Sequence, residues 1–585
     1  MFAVLIGALA AFVWGRWRYD VVALLALLAV TLAGIVPWDE AFLGFGHPAV
    51  ITVAAVLVVG KALANSGLVG LLARQVSRVG EGATAQIAAL TGLVAVLSAF
   101  MNNVGALALL MPVAIQMARK HKRPTSIYLM PLAFGSLLGG LSTLIGTPPN
   151  IIIATFRGDV VGEPFRMFDF APAGVGIGVA GLAFVILVGW RLLPRREAGS
   201  NRDELFRIGE YLTEVRVTED SSLVGSSLRS LGRDTKGEIM VVGLIRGDRH
   251  HPAPHVLERM RAGDVLLVEG TSEALAEFVD GLGLEFAEQR DLDEEELGSD
   301  EVELMEAVVT PTSPLVGRDA AGLAIRMRHG FNILAVARQG TRLEERVGRI
   351  RFRAGDVLLV QAPRGVLYEA LPNLGLLPLA EREIRIGEPR RVFLAVGVFG
   401  AAVSLAAVGV VPIQVAFVGA AVLMVMLGLI GLEKAYTSVD WPVIVLLGAM
   451  IPVGEALETS GGSALIGDIL LGMSEGGVSP AFAVGVILVV TMLLSDVINN
   501  AAAAVLMAPV ALSVAGGLGA SPDPFLMATA VGASCAFLTP IGHQSNTLVL
   551  GPGGYRFGDF WRLGLPLEVV IVVIGLPLIL VVWPV

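Results

Sequence analysis

Long apolar runs separated by short polar stretches dominate both ends of the chain. A bilayer-crossing helix needs about 20 such residues, because lipid offers backbone amides no partner outside the helix. In the amino-terminal part the runs fall near residues 1 to 14, 20 to 37, 48 to 73, 126 to 156 and 170 to 193. In the carboxy-terminal part they fall near 391 to 411, 414 to 432, 441 to 460, 524 to 550 and 563 to 583. Each part also holds two apolar arms meeting at a polar tip, Asn102-Asn103 and Asn499-Asn500, the pattern of a hairpin that enters the membrane and turns back. Met1 to Trp14 lacks a basic leader and a small-residue cleavage site, so it reads as a retained helix.

The two parts repeat one another. Ser98-Ala-Phe-Met-Asn102-Asn103 recurs 397 positions later as Ser495-Asp-Val-Ile-Asn499-Asn500, and Pro112 matches Pro509. Thr143-Leu-Ile-Gly146-Thr-Pro-Pro-Asn150 matches Thr539-Pro-Ile-Gly542-His-Gln-Ser-Asn546, and Gly60-Lys-Ala-Leu-Ala-Asn-Ser-Gly67 matches Gly454-Glu-Ala-Leu-Glu-Thr-Ser-Gly461. Five spans plus one re-entrant hairpin per copy is an odd count, which turns the second copy upside down. The expected fold is therefore an all-α polytopic membrane protein built as an inverted repeat, residues 1–193 and 391–585.

Positive charge orients it, since short cytoplasmic loops collect Lys and Arg. With both termini outside, Arg16, Arg18, Arg74, Arg78, Arg119 to Arg123, Arg191, Arg195 and Arg196 face the cytoplasm, as do Arg390, Arg391, Lys434, Arg556 and Arg562. The loop at Trp38-Asp39-Glu40 and the acids flanking the second hairpin, Asp468, Glu475 and Asp523, fall outside. The first hairpin then enters from the cytoplasm and the second from the other face.

The polar stretch between the parts, which this orientation places in the cytoplasm, is itself duplicated. Val217-Thr218, Leu223-Val-Gly225 and Arg261-Ala-Gly-Asp-Val-Leu-Leu-Val268 recur 92 positions later as Val309-Thr310, Leu315-Val-Gly317 and Arg353-Ala-Gly-Asp-Val-Leu-Leu-Val360. β-Branched runs such as Ile239 to Ile245 read as strands, and Arg-Ala-Gly-Asp as the turn before one. Two α+β modules, 206–285 and 304–380, flank an acidic linker at 286–303 that carries Asp291, Asp293 and Glu294 to Glu296. The insert has no G-x-G-x-x-G after a strand, so no dinucleotide fingerprint. Gly174, Gly176 and Gly178 sit in a membrane helix, where close helix packing explains them. His250, His251 and His255 share a Pro-rich loop without acidic or thiolate company, which disfavours a metal site.

Composition narrows the classes further. Hydrophobic residues are 55% of 585 and charged residues 16%, too apolar a balance for one soluble core of this length. The net charge of −10 reflects the insert and points to no nucleic-acid partner. Cys535 is the one cysteine, which excludes an internal disulfide and a multi-cysteine metal site. The chain lacks the Thr-Val-Gly-Tyr-Gly filter of a potassium channel.

Polar groups at membrane depth are costly unless they line a cavity or hold an ion. Asn102, Asn103, Asn499 and Asn500 can ligate a cation through carbonyl oxygens, donate to an anion through amide N–H, or only cap the hairpin arms. Gly146 and Gly542 interrupt long apolar runs, freeing carbonyls toward a cation or water, or merely kinking a helix. Asp496, where the first copy has Ala99, is a cation ligand, a proton relay or a satisfied carboxylate. His543 replaces Thr147 and meets an anion, confers pH sensitivity, or is only hydrogen-bonded. Lys61 and Glu455 read as snorkelling or paired near helix ends.

The two inserted modules resemble the RCK C-terminal (TrkA-C) domain, whose Arg-Ala-Gly-Asp-x-Leu-Leu-Val entry occurs twice here; this implies regulation or dimerisation. The membrane parts resemble the divalent anion/sodium symporter (DASS) family, on the hairpins, Gly146-Thr-Pro-Pro-Asn150 and the repeat. In that family a Ser-Asn-Thr signature sits at each tip; here Asn102-Asn103-Val104 and Asn499-Asn500-Ala501 keep the Asn and lack both hydroxyls. By position, the resemblance implies one sodium site at Ser98, Asn102, Asn103 and Gly146, and another at Ser495, Ile498 (through its carbonyl), Asn500 and Gly542, with Asp496 as an additional candidate. It implies substrate contacts at Asn102, Asn103, Val104, Thr147, Pro148, Asn499, Asn500, Ala501 and His543. The ending Gly551-Pro-Gly-Gly-Tyr-Arg-Phe-Gly-Asp559-Phe looks like the branch often associated with sulfate. The implied activity is sodium-coupled symport of a small dianion, sulfate rather than dicarboxylate, by a non-enzymatic carrier in a bacterial inner membrane, as a homodimer. A transporter-like sensor of anion status and an anion exchanger or exporter are the alternatives.

Overall fold

The computed structural model describes residues 1–14, 16–68, 79–80, 82–195, 212–228, 239–247, 249–252, 258–269, 272–287, 302–323, 325, 329–339, 341–343, 347, 350–363, 366–379, 389–460 and 479–585. The acidic linker run at 291–296, Arg74, Arg78, Arg196, His255, Gly461, Asp468 and Glu475 lie outside the described residues. The chain divides into two compact units, one of Met1–Arg195, Glu383–Val549 and Arg556–Val585, the other of Arg196–Arg382 with Leu550–Tyr555.

The first unit is helical. Its first part runs Phe2–Trp14, Tyr19–Leu32, Pro48–Asn65, Ala83–Ser98, Asn103–Lys120, Ser126–Gly140, Pro148–Val161 and Ala171–Leu187. Its second part runs Pro389–Ala407, Ile413–Met426, Leu432–Thr437, Trp441–Thr459, Pro480–Ser495, Asn500–Gly517, Pro522–Ser534, Gln544–Leu550 and Phe560–Val582. Five helices among the described residues are long and apolar enough to cross a bilayer, and seven shorter ones are apolar. The expected spans near 126–156 and 524–550 are each two helices, because Gly146-Thr-Pro-Pro and Pro540-Ile-Gly542 cannot continue one. The span expected to reach residue 432 stops at Met426, where Gly428 turns left-handed (φ 68°).

Glycines let these helices meet backbone to backbone. A Cβ on Gly139 would lie 2.1 Å from the Ala95 carbonyl oxygen, and one on Gly532 2.7 Å from that of Leu488, so each first hairpin arm packs tightly on the helix that precedes the break. The same device seats the last helix of each part: a Cβ on Gly174 would lie 2.1 Å from the Leu141 carbonyl oxygen, and one on Gly564 2.2 Å from that of Phe537. After each second arm the chain turns through a left-handed residue, Lys122 (φ 49°) and Gly519 (φ 61°), at equivalent positions. The last helix turns Leu563, Leu567 and Ile571 inward, while Leu565, Val569 and Val573 are exposed, the two-faced pattern of a helix bordering lipid.

The second unit holds two five-stranded sheets. The first comprises β1 (Leu212–Val217), β2 (Met240–Arg246), β3 (Arg249–Pro252), β4 (Val265–Glu269) and β5 (Leu284–Phe286), ordered β3-β2-β4-β1-β5. The other comprises β6 (Val302–Val309), β7 (Asn332–Arg338), β8 (Thr341–Arg342), β9 (Val357–Pro363) and β10 (Leu376–Pro378), ordered β10-β6-β9-β7-β8. Read from opposite ends, the two orders are the same, and the register shift at Val241/Gly243 recurs at Ile333/Ala335. His250 and His251 lie on β3, but their side chains are outside the described residues.

An ion pair absent from the sequence reading fastens both sheets. Arg246 grips the Asp264 carboxylate through two bonds of 2.8 Å, and Arg338 grips Asp356 the same way. Asp264 and Asp356 also cap their own turns, accepting from the Arg261 and Arg353 N–H at 2.8 Å. The Asp264 bond holds the Arg246 guanidinium above its ordinary pKa, despite some opposing desolvation. Asp356→Asn is expected to cost roughly 3 kcal/mol, the low end for a broken buried pair because Arg338 is partly exposed. Hydrogen exchange on the full chain should speed up across β6, β7 and β9 and stay unchanged across β1, β2 and β4.

Candidate functional site

Each hairpin tip uses its two asparagines differently. The outer one is a helix cap: Asn102 Oδ1 accepts from the Val104 N–H at 2.8 Å, and Asn499 Oδ1 from the Ala501 N–H at 2.9 Å. The inner one is buried in the first turn. In the first half Asn103 reaches Ser98 Oγ, and the same amide atom stands 3.2 Å from the Gly146 carbonyl oxygen and 3.1 Å from that of Ser136. With its nitrogen inward the two amide N–H bonds are shared among these three acceptors. With Oδ1 inward, the amide would face the two carbonyl oxygens with only the Ser98 hydroxyl to donate to it, so the nitrogen-inward amide is the satisfied one.

The second half places the same residue types differently. Asn500 Oδ1 accepts from the Ala501 N–H at 2.8 Å, and the Ser495 hydroxyl donates to the Ala533 carbonyl at 2.6 Å. Ser495, Asp496 and Gly542 do come together, since a Cβ on Gly542 would lie 2.7 Å from the Ser495 carbonyl oxygen and 2.9 Å from Asp496 Cα. Ile498 and Ala501 are buried and Val104 is half-buried. Among the described residues no hydrogen bond joins one tip to the other.

The broken helices are tied to the tips by matched bonds. The Thr143 hydroxyl donates to the Ala99 carbonyl, and that of Thr539 to the Asp496 carbonyl. The Asn150 amide donates to the Gly140 and Thr143 carbonyls at 3.2 and 2.8 Å, and the Asn546 amide to those of Ala536 and Thr539 at 2.8 and 3.0 Å. Helix breaks free buried carbonyls, and one asparagine per half satisfies two of them. Asn150→Leu therefore strands both, at a cost of about 2–6 kcal/mol from roughly 1–3 per orphaned group. A lower unfolding temperature in detergent would register it.

Past each break the halves diverge. Thr147 is 1% exposed, and its Oγ1 has no partner at the start of helix Pro148–Val161. A free hydroxyl at a helix N-terminus suits an anion. His543, at the equivalent position, accepts at Nδ1 from the Ser545 N–H at 3.0 Å, so it serves as a hydrogen-bonded start to Gln544–Leu550. Ser136 Oγ and Ser545 Oγ, one from each half, lie 3.5 Å apart in the buried interior. Arg157 and Asp523 join the halves again, with Nε to Oδ1 at 2.8 Å.

Two buried polar groups escaped the sequence reading. The Ser136 contribution is a backbone carbonyl, for which no residue type gives a signal. Glu568, 5% exposed in the middle of the last helix, had one: an acid inside a long apolar run.

Comparison with known proteins adds the lineage. The profile of the CitMHS citrate transporter family matches residues 9–532 and 486–585. An uncharacterized transporter of Escherichia coli is 31% identical over 99% of this chain and 98% of its own length. A putative sulfur deprivation response regulator of Chlamydomonas reinhardtii is 29% identical over 96% of this chain and 97% of its own. Sodium/sulfate cotransporter 1 of the same alga is 28% identical over 58% of this chain and 40% of its own length. Matched breaks, buried asparagine tips and apolar helices thus occur in a chain that belongs to the citrate transporter family, a multi-pass membrane transporter and not an enzyme.

Proposed function

We propose that this protein is a sodium-coupled symporter of a small dianion, sulfate in preference to dicarboxylates, with the DASS-like inverted-repeat architecture and alternating access. The reading rests first on Asn103, buried at the first tip with its amide against Ser98 Oγ and the Gly146 and Ser136 carbonyls. Carbonyl, hydroxyl and amide oxygens are the hard donors a sodium ion takes, and sodium at this tip would supply positive charge beside an incoming anion. Asn102 contributes as the cap that fixes this turn. In the second half Ser495, Ile498, Asn500 and Gly542 form the corresponding site, with Asp496 as a further ligand. Thr147 and Pro148, at a helix N-terminus, and His543, with Val104, Ala501 and the tip asparagines, line the anion position. The sodium/sulfate name of the algal relative supports sulfate as the substrate.

The two modules of the second unit act as cytoplasmic TrkA-C domains that gate transport, in a homodimer of the bacterial inner membrane with both chain ends outside. The test is uptake of radiolabelled sulfate, succinate and citrate into proteoliposomes with and without a sodium gradient. Sodium-dependent sulfate uptake is expected; uptake indifferent to sodium would remove the coupling.

One observation favours a second reading: the alga's sulfur deprivation regulator aligns along nearly the whole chain. If that kinship reflects shared function, the protein is a sensor that reports anion status without flux. Anion binding with no measurable turnover would select that reading.

A further inference from the structure

The two modules repeat one another down to their turns, but they differ in what covers those turns. In the first module the turn at 261–264 is open: Arg261, Ala262 and Gly263 are exposed, and nothing lies within 4 Å of a Cβ placed on Gly263. In the second, Gly355 at the matching position is buried; a Cβ on Gly551 would run into its carbonyl oxygen and lie 3.3 Å from Val357 Cγ2. Gly551 belongs to Leu550–Tyr555, a segment that the chain reaches only after the second break and that is nevertheless part of the second unit.

The segment is built to hold one shape. The Gly554 N–H donates to the Gly551 carbonyl and the Tyr555 N–H to that of Leu550, each at 2.9 Å, with Gly554 left-handed (φ 63°). Tyr555 is fully buried, its ring lying where Gly553 would carry a side chain. The chain leading into the segment is fixed as well. Helix Gln544–Leu550 runs into it from the second break, where Thr547 Oγ1 donates to the Pro540 carbonyl at 2.6 Å and the Asn546 amide to those of Ala536 and Thr539. Its seven residues span about 10 Å, short enough to act as one rod, so a shift at His543 is carried to Gly551. The first half is built otherwise. Asp169 accepts from the Arg166 N–H as Asp559, 390 positions later, does from that of Arg556, so the counterpart of Leu550–Tyr555 is 160–165, which stays within the first unit.

We propose that Leu550–Tyr555 is a strap tying the second module, and not the first, to the second break. Loading of the transport site shifts the turn at 353–356, and a change at that turn alters the affinity of the site in return, because coupling between two sites is reciprocal. This rests on the transport reading above and deepens its regulatory part by naming the module and the path.

Hydrogen exchange of the purified full-length protein, with and without saturating sodium sulfate, tests this, with equilibrium binding of radioactive sulfate measured on the same sample. Sodium sulfate is expected to change exchange over 353–357 by about fivefold or more, the low end of coupling between sites, and to leave 261–265 as it was. Gly551→Val, which drives a branched side chain into the Gly355 backbone, should free the strap: 353–357 then exchanges as fast as 261–265 and no longer responds, while sulfate still binds. The wild-type comparison of the two turns provides the reading if that variant is not monodisperse. Sulfate bound with no change over 353–357, an equal change in both turns, or a full response in Gly551→Val overturns the strap and leaves the transport reading intact. A wild type that binds no sulfate overturns the transport reading, and the role of the strap with it.

Discussion

Replacing Asn103 by alanine is expected to lower sodium-dependent anion uptake by about 100-fold or more, the upper range for disturbing a metal site. That amide reaches Ser98 Oγ and the Gly146 and Ser136 carbonyls at once, and alanine leaves all three without it. Neighbouring substitutions separate this effect from loss of structure. Asn102→Ala removes a helix cap, worth about 1 kcal/mol, together with one anion contact, and should lower uptake far less than Asn103→Ala. Asn103→Asp offers oxygen but no N–H. If the inner atom is a cation ligand, the aspartate retains substantial sodium-dependent uptake; if it must donate to the carbonyls, this variant is as inactive as alanine. Equal uptake by Asn103→Ala and wild type would remove Asn103 from the site.

The second large effect is on folding. Gly564→Val is expected to abolish the folded protein, at a cost above about 4 kcal/mol. A Cβ there would lie 2.2 Å from the Phe537 carbonyl oxygen and 2.6 Å from its carbon, and backbone cannot move aside as a flexible side chain does. Gly174→Val meets the same obstacle at Leu141 and should behave alike. Gly397→Ala is the control: nothing lies within 4 Å of its added Cβ, and removing a glycine from a helix interior should stabilise by about 0.5–1 kcal/mol. Size-exclusion profiles of solubilised protein give the outcome. A monodisperse Gly564→Val would refute the backbone contact.

Much of this arrangement was legible because the chain states it twice. The paired tips, the broken helices and the two sheets each announced themselves by repetition, and the hydrogen bonds of Asn150 and Asn546 match almost partner for partner. What repetition hides is the residue that departs from it. Glu568 stands where the other half has Gly178, so no comparison of halves drew attention to it, although its charge in an apolar run was visible. Equal residues also found unequal partners: Ser98 meets Asn103, whereas Ser495 turns to the Ala533 carbonyl. That choice depends on which carbonyls the neighbouring break sets free, a three-dimensional fact. The Arg246–Asp264 and Arg338–Asp356 clasps escaped for a similar reason, since each joins a strand to a turn residue 18 positions further along.

The threonine and asparagine bonds that fasten each break also limit how it can move. If the protein works by the proposed alternating access, a segment held at both ends by its own side chains is expected to move with the helices it joins rather than melt and re-form. Bending would then fall to the joints on either side, at the left-handed Lys122 and Gly519.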